Sequence, residues 1–475
     1  MISSQENSLE FFEKTAEQRD KWKKRNKYYW QDLEKFSNYL VPEHASVLEI
    51  GCGTGDLIAN LQAHKKVGID FSDKIISLAK KKHPHISFHT MKAENITLEE
   101  KFDYIIVSNT IGYLNDIQKV FLQLKKVSHP HTKIIVTYYN FLWQPLLSLA
   151  ELFRLRMRQP EQNWLSKEDI KNLLTLAGFD PYKEGERLIF PLYIPFISTF
   201  LNKYIAKLPL FNKLSLTNYV IAKPAPTTDE SIWKTQYSVS VVIPARNESG
   251  NIENAILRTP MMGKHTELIF IEGNSKDDTW EKIQEVAQKY EHTHDIKIAK
   301  QDGKGKGDAV RKGFDMATGD ILMILDADLT MPPEDLPKFY DAIASGNGEF
   351  INGSRLVYNM DQKAMRFLNL LANKFFSIMF TWLLGQRFKD TLCGTKVLFK
   401  SDYEHLKKGR KFFGDFDPFG DFDLIFGAAK LNLKTVEIPI RYKERTYGST
   451  NISRFRHGII LLRMCLFASK KIKFI

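Results

Sequence analysis

Residues 321–330 read ILMILDADLT, an apolar run that stops at two aspartates spaced i and i+2. A buried strand over 321–325 leaves Asp326 and Asp328 just past its end. Alternation along an extended chain then points both carboxylates the same way. Two hard anionic oxygens on one edge suit Mg²⁺ or Mn²⁺, which completes its shell with diphosphate oxygens. Taken alone, so short a pattern is equally the acidic turn that closes many strands. The neighbouring segments decide between the two.

Upstream, VSVVI at 239–243 is a second buried-strand pattern, followed by PARNE. ELIFI at 267–271 runs into EGNSKDDT, and a helical pattern opens at Trp280. Strand, small polar turn, then helix is the crevice-forming unit of open α/β sheets. GKGKGDA at 303–309 offers glycines that let the backbone approach phosphate, with lysines such as Lys304 supplying charge. The spacing is not that of a Walker A loop. Residues 332–335 read PPED, a proline-started helix, and NGSR at 352–355 follows a short apolar strand.

With these motifs in order, residues 237–450 resemble the family 2 glycosyltransferases of GT-A fold. Within that family they look like the dolichyl- or polyprenyl-phosphate mannosyl- and glucosyltransferases. The matching pieces are VVIPARNE, EGNSKDDT, GKGKGDAV, LDADL, NGSR, DTLCGTKVLF, FGDFDLI and ERTYGSTNISRFRHG. The resemblance implies that Pro244, Arg246 and Glu248 line a nucleotide pocket, that Glu272 reads the base and that Asp277 contacts the nucleoside. It also implies that Asp326 and Asp328 hold the metal on the diphosphate of a nucleotide sugar, and that Arg355 meets phosphate charge. Two positions depart from the family pattern: Glu272-Gly273 replaces an acid pair, and Thr330 follows DADL. Sugar transfer builds oxocarbenium character while a diphosphate leaves, so metal and cations act on the leaving charge. A phosphate acceptor needs no base. A hydroxyl acceptor needs one, and Asp421 and Asp423 are candidates. Both also read as acids on the first turn of a helix.

The first half carries a different pattern. VLEI at 47–50 runs into GCGTGD, and the next strand, VGI at 67–69, ends in Asp70, nineteen positions after Gly51. That spacing suits a carboxylate gripping ribose hydroxyls. A dinucleotide fingerprint would place glycine at position 56, where Asp56 stands. An acid there disfavours pyrophosphate and tolerates a cation, such as the sulfonium of S-adenosylmethionine. Residues 30–223 resemble the class I SAM-dependent methyltransferases through VLEIGCGTGD, GIDFS, KAENI, FDYIIVSNTIGYL and KIIVTYYN. The resemblance implies that Glu49, Gly51, Gly53 and Gly55 surround the methionine part, that Asp70 holds the ribose, that Glu94 lies near the adenine and that Asn109 closes the pocket. No acid–base pair marks a methyl acceptor.

The expectation is therefore an α/β protein of two domains. Residues 1–223 form a Rossmann-like SAM methyltransferase with a helical N-terminal extension, whose Trp22, Tyr28, Tyr29 and Trp30 pack on the domain or cover its pocket. Residues 224–238, rich in Pro, Thr and acids, form a linker, and 239–475 form the GT-A domain with a basic amphipathic C-terminus. Three widely spaced cysteines imply neither a disulfide framework nor a zinc site and fit a reducing cytoplasm. A net charge of +12 favours anionic lipid and phosphorylated small molecules, and no nucleic-acid module is visible. The uncharged stretch 188–202 is too short to span a bilayer and reads as a buried strand and helix or as a surface insertion. The apolar stretch 367–385 reads as core or as an interfacial helix. The C-terminus, IILLRMCLFASKKIKFI, resembles a helix lying on anionic lipid. The expectation from these features is a bifunctional enzyme, peripheral on the cytoplasmic face of the membrane. It moves a sugar with inversion to a polyprenyl phosphate or a glycan, and a methyl group from S-adenosylmethionine. The alternative is a glycosyltransferase acting on a soluble glycan, with the first domain a SAM-binding or scaffolding module. Oligomeric state, sugar and methyl acceptor are not legible.

Overall fold

The computed structural model describes residues 4–355, 367–410, 421–441, 447 and 454–474. The chain forms two compact units that divide between Ala225 and Pro226.

The first unit is built on a seven-stranded sheet ordered β3-β2-β1-β4-β5-β7-β6. Its strands are β1 (Ser46–Ile50), β2 (Lys65–Asp70), β3 (Ser87–Thr90), β4 (Phe102–Ser108), β5 (Ser128–Tyr139), β6 (Phe179–Arg187) and β7 (Thr217–Pro224). β1 to β5 pair in parallel, and β7 runs antiparallel between β5 and β6. Central parallel strands are covered on both faces, so they read as unbroken apolar runs. Leu48, Ile50, Ile105 and Val107 fall into one buried cluster, and Val47 and Ile106 into another. Helix Ile117–Leu124 buries Ile117, Val120, Phe121 and Leu124, the i, i+3, i+4, i+7 stripe of a core-facing helix. Asp116 caps its first turn by accepting from Lys119 N. Sheet order reverses at β1 and β4, which opens a crevice past their carboxyl ends. Three helices, Ser4–Thr15, Arg19–Arg25 and Lys27–Leu40, precede the sheet, and the last is anchored by buried Leu33, Phe36 and Leu40.

The second unit has a seven-stranded mixed sheet ordered β10-β9-β8-β11-β13-β12-β14. Its strands are β8 (Ser238–Ala245), β9 (His265–Glu272), β10 (Asp295–Lys300), β11 (Ile321–Ile324), β12 (Phe350–Ser354), β13 (Lys396–Phe399) and β14 (Thr435–Pro439). β10, β9, β8 and β11 are parallel, and β13 runs antiparallel to both β11 and β12. Here too order reverses, at β8 and β11, so turns after β8, β9 and β11 share one end of the sheet.

Within 224–238, the expected linker, residues 225–229 carry no helix or strand and the two units divide there. Pro224 ends β7, and a short helix, Glu230–Trp233, sets Trp233 into the core of the second unit, where its carbonyl accepts from Tyr340 Oη (3.0 Å). Tyr237 packs on the same core, against Phe399, and polar composition hid both aromatic anchors. Stretch 188–202 is not a buried strand and helix: Leu188 and Ser198 are buried, while Leu192, Tyr193, Ile194, Phe196, Ile197 and Phe200 are exposed. Helix Phe367–Leu384 buries Phe376, Phe380 and Leu383 in a core shared with Phe422, Phe426, Met464 and Cys465, and exposes Phe375 and Ile378. Among the described residues, no helix is long and apolar enough to cross a membrane.

Candidate active sites

In the first unit, the turn after β1 is shaped by glycine. Gly51 has φ 70°, and a Cβ there would meet Thr110 Oγ1 at 2.3 Å. Gly53, at φ 56°, donates its N–H to Asp70 Oδ2 (2.9 Å), while Asp70 Oδ1 accepts from Ser72 N (3.2 Å). Asp70 thus ties the tip of β2 to the glycine turn. Burial raises its pKa, and the bonds from Gly53 and Ser72 oppose the rise. Glu49 is buried, and its Oε2 accepts from Ile58 N (3.2 Å). Burial pushes its carboxyl up to about 8, against the pull of Lys23 and of that hydrogen bond.

Glu49, Gly51, Gly53, Asp70 and Asn109 line one cavity of about 340 Å³. Gly55 and Glu94 do not line it: Gly55 starts helix Asp56–Ala59, and Glu94 Oε1 accepts from Asn115 N (3.3 Å). Asp56 does not serve as a cation-tolerant wall either. It pairs with Lys23 (2.6 Å) and Lys82 (2.5 Å), and although burial opposes this, the two lysines hold its carboxyl well below the usual range. Lys23 also donates to Thr54 Oγ1 (3.2 Å), so the N-terminal helices are latched onto the glycine turn. Phe12, Arg19, Trp22, Tyr29 and Trp30 supply the cavity wall on that side, and Tyr29 Oη meets the Asn109 amide (2.8 Å). Arg19, Lys23 and Arg156 lay outside every quoted motif, while Tyr113 and Tyr139 stood in FDYIIVSNTIGYL and KIIVTYYN without a role. For Arg19 and Lys23 the available signal was the alternation of basic and aromatic residues over 19–30.

In the second unit, the turns after β8, β9 and β11 converge. Gly273 N donates to Ala245 O (2.8 Å), and a Cβ on Gly273 would lie 3.2 Å from Arg246 Cβ. Asn247 N donates to Ser275 Oγ (3.0 Å) and Lys276 N to Asn247 Oδ1 (2.8 Å). Pro244 is half-buried and Arg246 exposed at this edge. Three of the expected nucleotide residues hold the turns. Buried Glu248 accepts from Asn251 Nδ2 (2.8 Å), buried Glu272 from Ser275 N, and Asp277 from Thr279 N (3.2 Å) at the start of helix Thr279–Tyr290.

Asp326 and Asp328 follow β11 and are half-buried, while Ala327 and Leu329 are buried; the chain does not run on extended as expected but turns, with Leu329 N donating to Asp326 O (3.1 Å) and Leu329 at φ 50°. Asp326 Oδ1 lies 2.7 Å from Lys306 Nζ, and a Cβ on Gly394 would lie 1.9 Å from Asp326 Oδ2. Burial would raise the Asp326 pKa, but Lys306, buried Lys396 and Arg355 outweigh it and hold the carboxyl below its ordinary value. Asp328 Oδ1 accepts from Thr330 Oγ1 (2.8 Å) and Thr330 N (3.1 Å), so the departure at Thr330 caps the second aspartate. Of the lysines in GKGKG, Lys306 reaches this cluster and Lys304 is exposed. Arg355 makes a forked pair with buried Asp390 (2.7 and 2.8 Å). Asp390 and Lys396 were in a quoted motif without a role. What places them is β13, an antiparallel insertion that a sequence pattern does not reveal.

Asp421 opens helix Asp421–Lys430, and its side chain lies outside the described residues. Asp423 faces Arg410 Nε (3.3 Å) and Arg311 Nη1 (3.6 Å). Of 444–458, Tyr447 and the start of helix Arg454–Ala468 are described, and the rest lies outside.

Donor chemistry fits a divalent cation here. Two half-exposed carboxylates sit on one sheet end, and no cluster of three or more His, Cys, Asp or Glu is found among the described residues. Such an open set suits a metal that takes its remaining ligands from a diphosphate.

Two α/β units, each with a crevice at its sheet reversal, define the class of this protein. Residues 21–184 match the model of a methyltransferase domain, and 240–405 match that of glycosyl transferase family 2. The chain joins a methyltransferase domain to a family 2 glycosyltransferase domain. It is similar to dolichol-phosphate mannosyltransferase of Pyrococcus furiosus, 40% identical over 25% of this chain and 33% of that protein. It is also similar to an undecaprenyl-phosphate 4-deoxy-4-formamido-L-arabinose transferase of Pectobacterium carotovorum, 28% identical over 46% of this chain and 63% of that protein. The chain thus spans between a third and under two thirds of these curated relatives. Among solved structures, a SAM-dependent methyltransferase of Thermotoga maritima, a possible histamine N-methyltransferase, aligns at 18% identity over 46% of this chain and 99% of its own, with a TM-score of 0.37. Glucosyl-3-phosphoglycerate synthase of Mycobacterium tuberculosis, with Mn²⁺, UDP and glucosyl-3-phosphoglycerate, aligns at 16% identity over 50% of this chain and 80% of its own, also at 0.37.

Proposed function

We propose that the second unit transfers a sugar from a nucleotide diphosphate sugar, with inversion, to a polyprenyl phosphate. We propose also that the first unit transfers a methyl group from S-adenosylmethionine. The observation that carries the first reading is the charge layout at the end of β11: Asp326 and Asp328 beside Lys306, Lys396 and the Arg355–Asp390 pair. Asp326 and Asp328 would hold Mg²⁺ or Mn²⁺, which supplies charge neutralisation of the leaving diphosphate. Lys306 would meet the same diphosphate, and with Lys396 and Arg355 it holds the Asp326 carboxyl below its ordinary value. The turns bearing Arg246, Gly273 and Asn274 offer backbone and side chains to a nucleoside. A phosphate acceptor attacks the anomeric carbon without a base, and the names of the relatives support that acceptor class. In the first unit, Asp70 at the tip of β2 and Glu49 behind the glycine turn would face the ribose and the cationic methionine end. Both reactions would be run by a protein seated at a membrane, on the side where Cys52, Cys393 and Cys465 remain free thiols.

The test is a mass-spectrometric screen of nucleotide sugars with polyprenyl phosphates, with and without S-adenosylmethionine. Sugar appearing on the lipid phosphate is the expected result. Transfer to a soluble glycan alone would turn attention to Asp421 as a base.

A further inference from the structure

The methyltransferase cavity has an open end. Leu146, Leu155 and Leu192 line it and are also 53%, 51% and 60% exposed, so its mouth lies among them. Two surface segments meet there. One is helix Gln144–Leu152 with Phe153 after it, and the other connects β6 to β7. Trp143 Nε1 donates to Leu214 O (2.8 Å) and Asn140 Nδ2 to Lys213 O (3.0 Å), which ties the two together, and the Asn202 amide braces the second segment internally on Phe190 O (2.7 Å).

That face is apolar where it meets water. Leu152, Phe153, Phe196, Phe200 and Leu210 are all exposed, Phe196 at 90%. Soluble single chains rarely leave so many large apolar side chains exposed on two segments that are bonded together without a use for them. The backbone goes out of its way to produce it. Phe196 has φ 64° and ψ −49°, and Ile197 N donates back to Pro195 O (2.8 Å), a γ-turn of the rare, strained hand. Leu210 has a similar conformation, φ 75° and ψ −51°. Each such turn aims an apolar side chain outward, and strain of this kind is kept where a surface has a function.

Charge identifies what covers the face. Residues 188–216 contain Lys203, Lys207 and Lys213 and no aspartate or glutamate. Arg154 and Arg158 flank the other segment and are exposed, while Arg156 turns into the cavity and pairs with Glu151 (2.6 Å). Apolar tips bordered by cations match acyl chains below anionic headgroups.

We propose that this face of the methyltransferase unit docks on an anionic bilayer, so that the mouth of the cavity receives a methyl acceptor carried on a lipid. The acceptor class rests on the methyl-transfer reading above, and the docking face does not. The experiment is co-sedimentation of the full chain with phosphatidylglycerol-rich and with phosphatidylcholine vesicles. It compares wild type with the double variant Phe196→Glu, Phe200→Glu, neither position lining the cavity. Wild type should bind the anionic vesicles, weakly at high salt, and the variant should lose at least about tenfold in partitioning. Calorimetry with S-adenosylmethionine should give the same affinity for both proteins, which shows that the variant is folded. A variant that partitions like wild type overturns the proposal and moves any contact elsewhere, such as to the basic C-terminus. Wild type that ignores anionic vesicles, or self-associates through this face instead, overturns it as well. Vesicle binding lost in the variant, with no methyl transfer to any lipid extract, keeps the docking face and removes the acceptor class. Absence of S-adenosylmethionine binding in wild type fails the methyl-transfer reading alone.

Discussion

Lys306 Nζ stands 2.7 Å from Asp326 Oδ1, so the glycine loop places a cation on the aspartate assigned to the metal. Lysine and divalent ion would compete for that oxygen until a diphosphate gives the lysine another partner. Lys306→Met should therefore tighten Mn²⁺ binding in the absence of nucleotide, by up to about fivefold for a half-exposed pair worth about 1 kcal/mol. The same change should lower turnover with nucleotide sugar. Electron paramagnetic resonance titration of Mn²⁺ reads the first effect, and unchanged affinity would contradict the competition.

Asp328→Asn should reduce sugar transfer by orders of magnitude, because leaving-group stabilisation worth several kcal/mol is lost. The amide oxygen can still accept from Thr330, so the thermal midpoint should hardly move. Full activity in this variant, or in EDTA, would remove the metal from the reaction.

In the first unit, Asp70→Asn keeps an acceptor for Gly53 N but loses the charge. A charge-assisted hydrogen bond is worth about 1.5–3 kcal/mol, so affinity for S-adenosylmethionine should fall at least about tenfold. Calorimetry measures this directly. Tight binding of NAD⁺ with none of S-adenosylmethionine would reassign the site.

Glu49 titrates near 8 in the folded protein, above the ordinary glutamate value of 4.5. A raised folded value means that the stability it contributes is complete below pH 4.5 and is lost as pH rises to about 8. The unfolding midpoint of the first unit should therefore drop across that window, and Glu49→Gln should flatten the drop. A cationic ligand favours the carboxylate, so binding at pH 7 should release up to about one proton. Calorimetry in buffers of different ionisation enthalpy checks the release, which Glu49→Gln should abolish.

Arg355 and Asp390 form a buried forked pair. Asp390→Ala leaves a guanidinium facing protein without its carboxylate, a loss of about 3–5 kcal/mol. Chemical denaturation should show it, and a change within experimental error would mean that other groups already balance Arg355.

The crevices were legible because each is a local event, an apolar strand ending in glycine or acid. VLEIGCGTGD and ILMILDADLT place Glu49, the glycine turn, Asp326 and Asp328 where the structure has them. What was not legible depends on distant pairing. β13 returns antiparallel beside β11 and brings Gly394 and Lys396 to Asp326 from about seventy residues away. The N-terminal latch, Lys23 on Asp56, joins two charged residues that each look solvated in sequence. Local patterning also left 188–202 open between core and surface, because an uncharged stretch fits either until the fold shows it facing out.

β6 and β7 pair up to Arg187 opposite Thr217, and Leu216 N then bonds to Leu188 O (2.8 Å). Everything from Leu188 to Leu216 therefore hangs from one closed rung of an antiparallel ladder, and the register of the sheet is complete without it. Such a segment can be lengthened, exchanged or cut back to a tight turn during evolution while the glycine-turn end of the sheet keeps its shape. Where a methyltransferase works, and on what, can in this architecture be rewritten by one insertion at one hairpin.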